Sequence, residues 1–147
     1  MPAEASRLFE RLGPLAPPVS VWTEPFLDGV RRGILRVPEC AACDTRFWTP
    51  QFACPSCLST DVRWLDTDGR GVVYSHTTVH RSANPAVWPD VPYVLAVVHL
   101  DAGPHVLTRL IDCAADEVRV GDPVQAVPFE VNGSAVYPFR LVTGAAR

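Results

Sequence analysis

The sequence predicts a mainly β protein: short N-terminal helices, a four-cysteine zinc ribbon, then a five-stranded OB-fold barrel. Two Cys-x2-Cys pairs, Cys40/Cys43 and Cys54/Cys57, are separated by ten residues. Five strand-like runs follow the Gly69-Arg70-Gly71 turn. Proline makes up 15 of the 147 residues, and because it cannot donate to a helix or sheet ladder it favours strands, turns and extended connections.

Taken in order, residues 4–12 read as a short amphipathic helix with Leu8, Phe9 and Leu12 on one side. Gly13-Pro14 ends it, and a proline-rich connector runs through Pro18. A second helix begins after Thr23, a candidate N-cap; Glu24 and Pro25 suit its first turn, and Gly33 stops it. Isolated helices this short are marginal in water, so both must dock on something. Residues 34–39 read as a strand leading into Cys40, Arg46-Phe47-Trp48 as a short strand between the knuckles, and residues 62–65 as the strand leaving them. The barrel strands are predicted at 71–81, 93–100, 105–111, 123–131 and 135–141. Asp101-Ala102-Gly103-Pro104 makes a turn and Asn132-Gly133 a hairpin. One long connection, 112–122, among five strands matches an OB-fold, with an open five-stranded sheet as the alternative. The expected division is a helical segment at 1–33, a ribbon at 34–66 and the barrel at 67–147.

Net charge is -3 and all thirteen basic residues are arginine, which is not the electrostatic footprint of a nucleic-acid binder. The longest apolar runs are strand-sized, well short of the roughly 20 residues that span a bilayer, so no membrane association is expected. The start of the chain lacks a secretory pattern, which leads to an expectation of a cytoplasmic location. There the five cysteines read as four metal ligands plus Cys113, a small buried apolar residue, and not as a disulfide framework.

The metal reading follows from spacing. A two-residue gap lets both thiolates of a knuckle face one ion, and two knuckles complete the tetrahedron that zinc takes in closed structural sites. Thiolates also accept iron, as in a rubredoxin-like centre, so spacing alone leaves that alternative open. A closed site has no position for water or substrate, which makes the ion structural.

Elsewhere no nucleophile, phosphate-binding glycine loop or carboxylate pair is recognisable, so the chain is not expected to be catalytic on its own. His76 and His80, alternating with Tyr74 and Thr78 along one strand face, lie roughly 13 Å apart at about 3.3 Å per residue, too far to share an ion. Arg31, Arg32 and Arg36 read as a solvated helix end favoured by the helix dipole, with a phosphorylated ligand as the rival. Residues 82–92 form a proline-rich connection carrying Trp88 and leading to Tyr93, which suits a binding loop, with packing of Trp88 onto the barrel mouth as the equal alternative. An N-terminal segment with Leu15, Val19, Val21 and Trp22 is more apolar than a small barrel needs, and is expected to dock on a larger protein.

The order of parts adds a resemblance. Phe26-Leu27-Asp28-Gly29-Val30-Arg31-Arg32-Gly33 precedes the first knuckle, and Cys54-Pro55-Ser56-Cys57 forms the second. Gly71-Val72-Val73-Tyr74-Ser75-His76-Thr77, His80-Arg81, Val91-Pro92-Tyr93 and Val120-Gly121-Asp122-Pro123-Val124 follow. Over about residues 22–142 this resembles the acyl-CoA-associated family that joins a rubredoxin-like zinc ribbon to an OB-fold. The resemblance implies a structural zinc on the four cysteines and a non-catalytic subunit that supports a thiolase-superfamily partner, either a thiolase or a retro-aldolase. It further implies acyl-CoA substrates handled by the complex, as in steroid side-chain degradation, and association with an enoyl-CoA hydratase. Candidate ligand or partner contacts are Tyr74, His80, Arg81, Trp88 and Tyr93. The alternatives are a stand-alone acyl-CoA-binding module and a single-stranded nucleic-acid binder, the latter opposed by the net charge.

Overall fold

The computed structural model describes residues 20–131 and 133–142. The predicted helix at 4–12, the connector through Pro18, and Leu15 and Val19 lie outside the described residues, as does Asn132 of the predicted hairpin.

The first element among the described residues is helix α1, Glu24–Arg31. Pro25 sits in its first turn, where its missing N–H would be unsatisfied anyway. Gly33 ends it at φ 73°, a conformation cheap only for glycine. There the amides of Gly33 and Ile34 donate to the carbonyls of Val30 and Gly29. Thr23 occupies the N-cap position but does not cap the helix with its side chain. Its hydroxyl instead donates to the Ser20 carbonyl and accepts from the Ser20 amide. The expected solvated arginines are also paired. Arg31 bonds Glu130 and Glu24, Arg32 bonds Asp28, and Arg36 bonds Asp66, Asp28 and the Pro25 carbonyl. Carboxylates therefore already partner each of the three arginines.

Strands β1 (Arg36–Cys40) and β2 (Val62–Asp66) pair antiparallel, with Glu39 opposite Arg63. The expected strand at Arg46-Phe47-Trp48 reduces to a single bridge between Glu39 and Arg46. Beyond them come β3 (Arg70–Val79), β4 (Tyr93–Leu100), β5 (His105–Ile111), β6 (Pro123–Ala126), β7 (Phe129–Val131), β8 (Ser134–Val136) and β9 (Phe139–Leu141). Strands β3, β4, β5, β9 and β6 close a five-stranded barrel in that order. Only the β5–β9 contact in it is parallel. The closed OB-type barrel, not the open sheet, is therefore the architecture.

Three strand expectations change in detail. The runs 123–131 and 135–141 are each split in two, because Pro128 and Pro138 interrupt the ladder. The outer halves, β7 and β8, form a separate hairpin whose Phe129 and Val131 pack with Ile111. Strand β3 ends at Val79 rather than Arg81. It also carries a bulge between Val73 and Ser75, so the predicted face of Tyr74, His76, Thr78 and His80 does not exist as one. Tyr74 meets His105 edge-on on the outside, whereas His76 pairs with the buried Ala96.

Gly71 lets β3 and β4 approach closely: a Cβ there would stand 2.4 Å from the His99 carbonyl oxygen. The main core runs through barrel, helix and ribbon. Val73, Val94, Val98, Leu100, Val106 and Phe139 fill the barrel, and Val30, Leu35 and Val37 from α1 and the ribbon join them. At the junction Phe26 meets Trp48 and Tyr137 edge-on at 5.3 and 5.7 Å and Trp64 at 6.4 Å. Helix, ribbon and barrel are thus held by one aromatic cluster.

Candidate metal centre

Four sulfurs converge at the far end of the ribbon. The Sγ atoms of Cys40, Cys43, Cys54 and Cys57 all lie within 4.8 Å of one another, with 3.5 Å between Cys40 and Cys57 and 3.7 Å between Cys43 and Cys54. A tetrahedron with zinc–sulfur bonds of about 2.3 Å has edges of about 3.8 Å, so the set is the right size for one ion. Cys40 and Cys54 are buried, and Cys43 and Cys57 are exposed.

The two knuckles repeat one backbone design. The Cys40 amide donates to the Thr45 carbonyl and the Cys54 amide to the Ser59 carbonyl; Asp44 and Leu58 donate back to the carbonyls of Cys40 and Cys54. Asp44 and Leu58 take the left-handed conformation, at φ 55° and 62°. This turn aims the amide and side chain that follow toward the second cysteine of each pair. The Thr45 hydroxyl lies 3.1 Å from the Cys43 sulfur, and with the Thr45 amide it pulls that thiol down to about 6. At Cys57 the Ser59 amide pulls the same way, but hydrogen bonding with Cys43 and Cys40 outweighs it and leaves the thiol at about 12. Crowded sulfurs oppose full ionisation, and a divalent cation at their centre is the charge that allows all four to be thiolates. The donor set fits zinc, the site is closed, and the ion is structural.

Behind the knuckles, Glu39 is nearly buried and receives Arg46 at 2.6 Å and Arg63 at 2.7 Å. Those hydrogen bonds, Arg46 first, hold its carboxyl below the usual range. Arg63 continues to Asp44, and Arg46 to the Ala102 carbonyl in the β4–β5 turn, tying the ribbon to the barrel. The sequence reading missed this network and the left-handed Asp44 and Leu58. One signal for the latter was present: a hydroxyl residue stands two places after Cys43 and again after Cys57.

The other candidate contacts do not form a single site. His80 and Arg81 are exposed just past β3. Trp88 is 60% exposed in a 3-10 turn, Pro85–Asp90, with its indole N–H donated to the Ser82 carbonyl. Tyr93, half-buried at the start of β4, lies under the Arg109 guanidinium at 4.2 Å. The first three lie on the β3–β4 connection and Tyr93 at its end, where β4 begins. Tyr74 lies at the bulge itself and meets His105, which also stacks on His99 at 4.6 Å. Cys113 is partly buried against the core, and burial pushes its thiol up.

A rubredoxin-like ribbon feeding a five-stranded OB barrel defines a class, and comparison with known proteins places the chain within it. Residues 27–63 match the family described as "ChsH2, rubredoxin-like zinc ribbon domain", and 64–128 match "ChsH2, C-terminal OB-fold domain". Among solved structures, a chain of "Ltp2-ChsH2(DUF35) aldolase" superposes with a TM-score of 0.73 at 30% identity, covering 85% of this chain and 98% of that one. The chain belongs to the DUF35 family. A "Probable enoyl-CoA hydratase alpha subunit" of Thermomonospora curvata is 34% identical over 99 residues, which cover 67% of this chain and 30% of that protein. A "DUF35 domain-containing scaffold protein" of Methanocaldococcus jannaschii is 30% identical over 60% of this chain and 63% of its own length. The "3-oxo-4,17-pregnadiene-20-carboxyl-CoA hydratase alpha subunit" of Mycobacterium tuberculosis is 30% identical over 76% of this chain and 35% of its own. The chain therefore spans about a third of the two hydratase subunits and under two thirds of the scaffold protein.

Proposed function

We propose that this chain is a non-catalytic accessory subunit that binds and supports a thiolase-superfamily enzyme, a thiolase or retro-aldolase, acting on acyl-CoA substrates in the cytoplasm. The observation that carries the reading is the match in fold and sequence, over nearly the whole of that chain, to the DUF35 chain of an aldolase. The hydratase names of two relatives support an acyl-CoA setting and an enoyl-CoA hydratase as a further partner, and one of them supports a steroid side-chain substrate. In this reading 1–33 is the helical segment, 34–66 the ribbon and 67–147 the barrel.

Physical features favour a docked subunit. The metal site is closed, so it offers no Lewis-acid position. Val21, Trp22 and Phe52 are 78%, 53% and 59% exposed, and Trp22 lies against Phe52. Exposed apolar clusters of this kind mark interaction surfaces. Beside them an apolar groove of about 410 Å³ opens between Phe26, Trp48, Pro50 and Tyr137. His80, Arg81 and Trp88 on the β3–β4 connection, Tyr93 at its end, and Tyr74 on the outer barrel face, are the proposed contacts to partner or ligand. Affinity capture of the tagged full chain from its source cells, with mass spectrometry, tests the reading. A stoichiometric thiolase-superfamily protein supports it; recovery of the folded, zinc-loaded chain alone contradicts it.

A further inference from the structure

The apolar groove at the junction takes its walls from all three parts of the molecule. Phe26 and Leu27 come from α1, Trp48 and Pro50 from the ribbon, and Ala135 and Tyr137 from β8 and the residues just after it. No charged side chain lines it among the described residues. An apolar cleft of about 410 Å³ calls for an apolar occupant, since covering such surface is favourable by about 25 cal/mol per Å².

The chain itself is delivered to this groove. Thr23 stands in its lining. The amides of Thr23 and Glu24 donate to the Ser20 carbonyl at 3.0 and 2.9 Å, and the Ser20 amide donates to the Thr23 hydroxyl at 3.0 Å. Trp22, inside that turn, rests against Phe52 of the ribbon with ring centroids 6.2 Å apart. Ser20 is therefore held at the rim, and residues 1–19 lead into it. Within them lies the run expected to be an amphipathic helix, residues 4–12. At 100° per residue, Ala5, Leu8, Phe9 and Leu12 fall within an arc of about 100°, the width of a core-facing stripe, and Arg7 and Glu10 fall opposite.

Helix and groove answer each other's need. A helix of this length is not stable alone in water and requires a surface for its stripe. The connector, residues 13–19, spans at most roughly 23 Å when extended, which reaches the groove from Ser20 and keeps the stripe close to it. Pro14, Pro17 and Pro18 stiffen that connector, and a short tether sets an effective concentration in the millimolar range, so a weak contact is enough to close it. We propose that residues 4–12 of this chain occupy the groove in the free protein, seating Leu8, Phe9 and Leu12 among Phe26, Trp48, Pro50 and Tyr137. The arm then covers the aromatic junction that joins helix, ribbon and barrel. The inference does not depend on the accessory-subunit reading, because it concerns the chain alone.

Photo-crosslinking of the zinc-loaded full chain tests it, with benzoylphenylalanine in place of Phe9 and mass spectrometry of the irradiated, dilute protein. The expected product has the mass of one chain and joins position 9 to Trp48, Pro50, Ala135 or Tyr137. A product with the mass of two chains assigns the groove to a second copy and overturns the inference. A crosslink outside the groove, or none, also overturns it and leaves the groove to a partner protein. Hydroxyl-radical footprinting gives a second reading on the same full chain. Phe9→Asp raises labelling of Trp48 and Tyr137 about threefold or more, because the tether no longer closes the groove. Retained zinc and unaltered labelling of Tyr74 and Trp88, exposed elsewhere, show that this variant is folded. A synthetic peptide of residues 1–19, added in excess, restores the protection of Trp48 and Tyr137. Labelling of these two residues that does not rise in Phe9→Asp overturns the inference.

Discussion

Replacing Phe26 by alanine removes the side chain on which helix, ribbon and barrel meet. Phe26 is 8% exposed and touches Trp48, Trp64 and Tyr137. Truncation of a buried phenylalanine costs about 3–5 kcal/mol, the spread reflecting how far the site can collapse. Phe26 also lines the apolar groove, so its neighbours have room to relax on one side and the lower end applies, about 3 kcal/mol. With a urea m-value of about 2 kcal/mol/M for a chain of this size, the midpoint falls by about 1.5 M. The assay is urea unfolding with saturating zinc, followed by the fluorescence of the junction tryptophans and by far-ultraviolet dichroism. A shift below about 0.5 M, equivalent to roughly 1 kcal/mol on the same m-value, would refute the claim that this cluster joins the three parts. Unfolding that splits into two transitions would instead show that Phe26 supplies the cooperativity between them.

Three other outcomes follow from the same structure. Zinc removal by a strong chelator frees the amides of β1 and β2 to hydrogen exchange, because structural zinc contributes folding energy of about 10 kcal/mol or more; unchanged protection there would refute a structural role. Gly71→Ala drives a Cβ to 2.4 Å from a β4 carbonyl that belongs to the barrel ladder, so the thermal midpoint drops by several degrees; an unchanged midpoint would mean the strands are farther apart. Glu39 is held below its ordinary value of 4.5 by Arg46 and Arg63. Its stabilisation is thus complete above that value and is lost as pH falls through the lower folded value. The stability gap between the native chain and Glu39→Gln should therefore be constant near neutrality and close below about pH 4.5; a gap independent of pH would contradict the pairing.

The metal site was legible because ligand spacing is local: four cysteines in two short knuckles bring their sulfurs together whatever the rest of the chain does. Strands β4 and β5 were legible to the residue, bounded by Pro92 and by the 101–104 turn. What escaped depends on partners distant in sequence. The bulge after Val73 reflects the pairing of β3 with β4, and it moved Tyr74 off the face its spacing predicted. Pro128 and Pro138 were visible, but that the two runs they interrupt face each other, and so free a hairpin, requires the register. Arg31 finds Glu130 ninety-nine residues away, so its local reading as a solvated helix end missed the ion pair.

On the proposed reading, catalysis belongs to a partner and this chain supports it. Carbon–carbon cleavage or formation on acyl-CoA substrates should be measured with the captured thiolase-superfamily enzyme alone, with the zinc-loaded chain alone, and with both. On that reading the chain alone shows no turnover, the enzyme alone little, and the two combined full activity. Turnover by the chain alone, or an enzyme whose rate is unchanged by its presence, would contradict it.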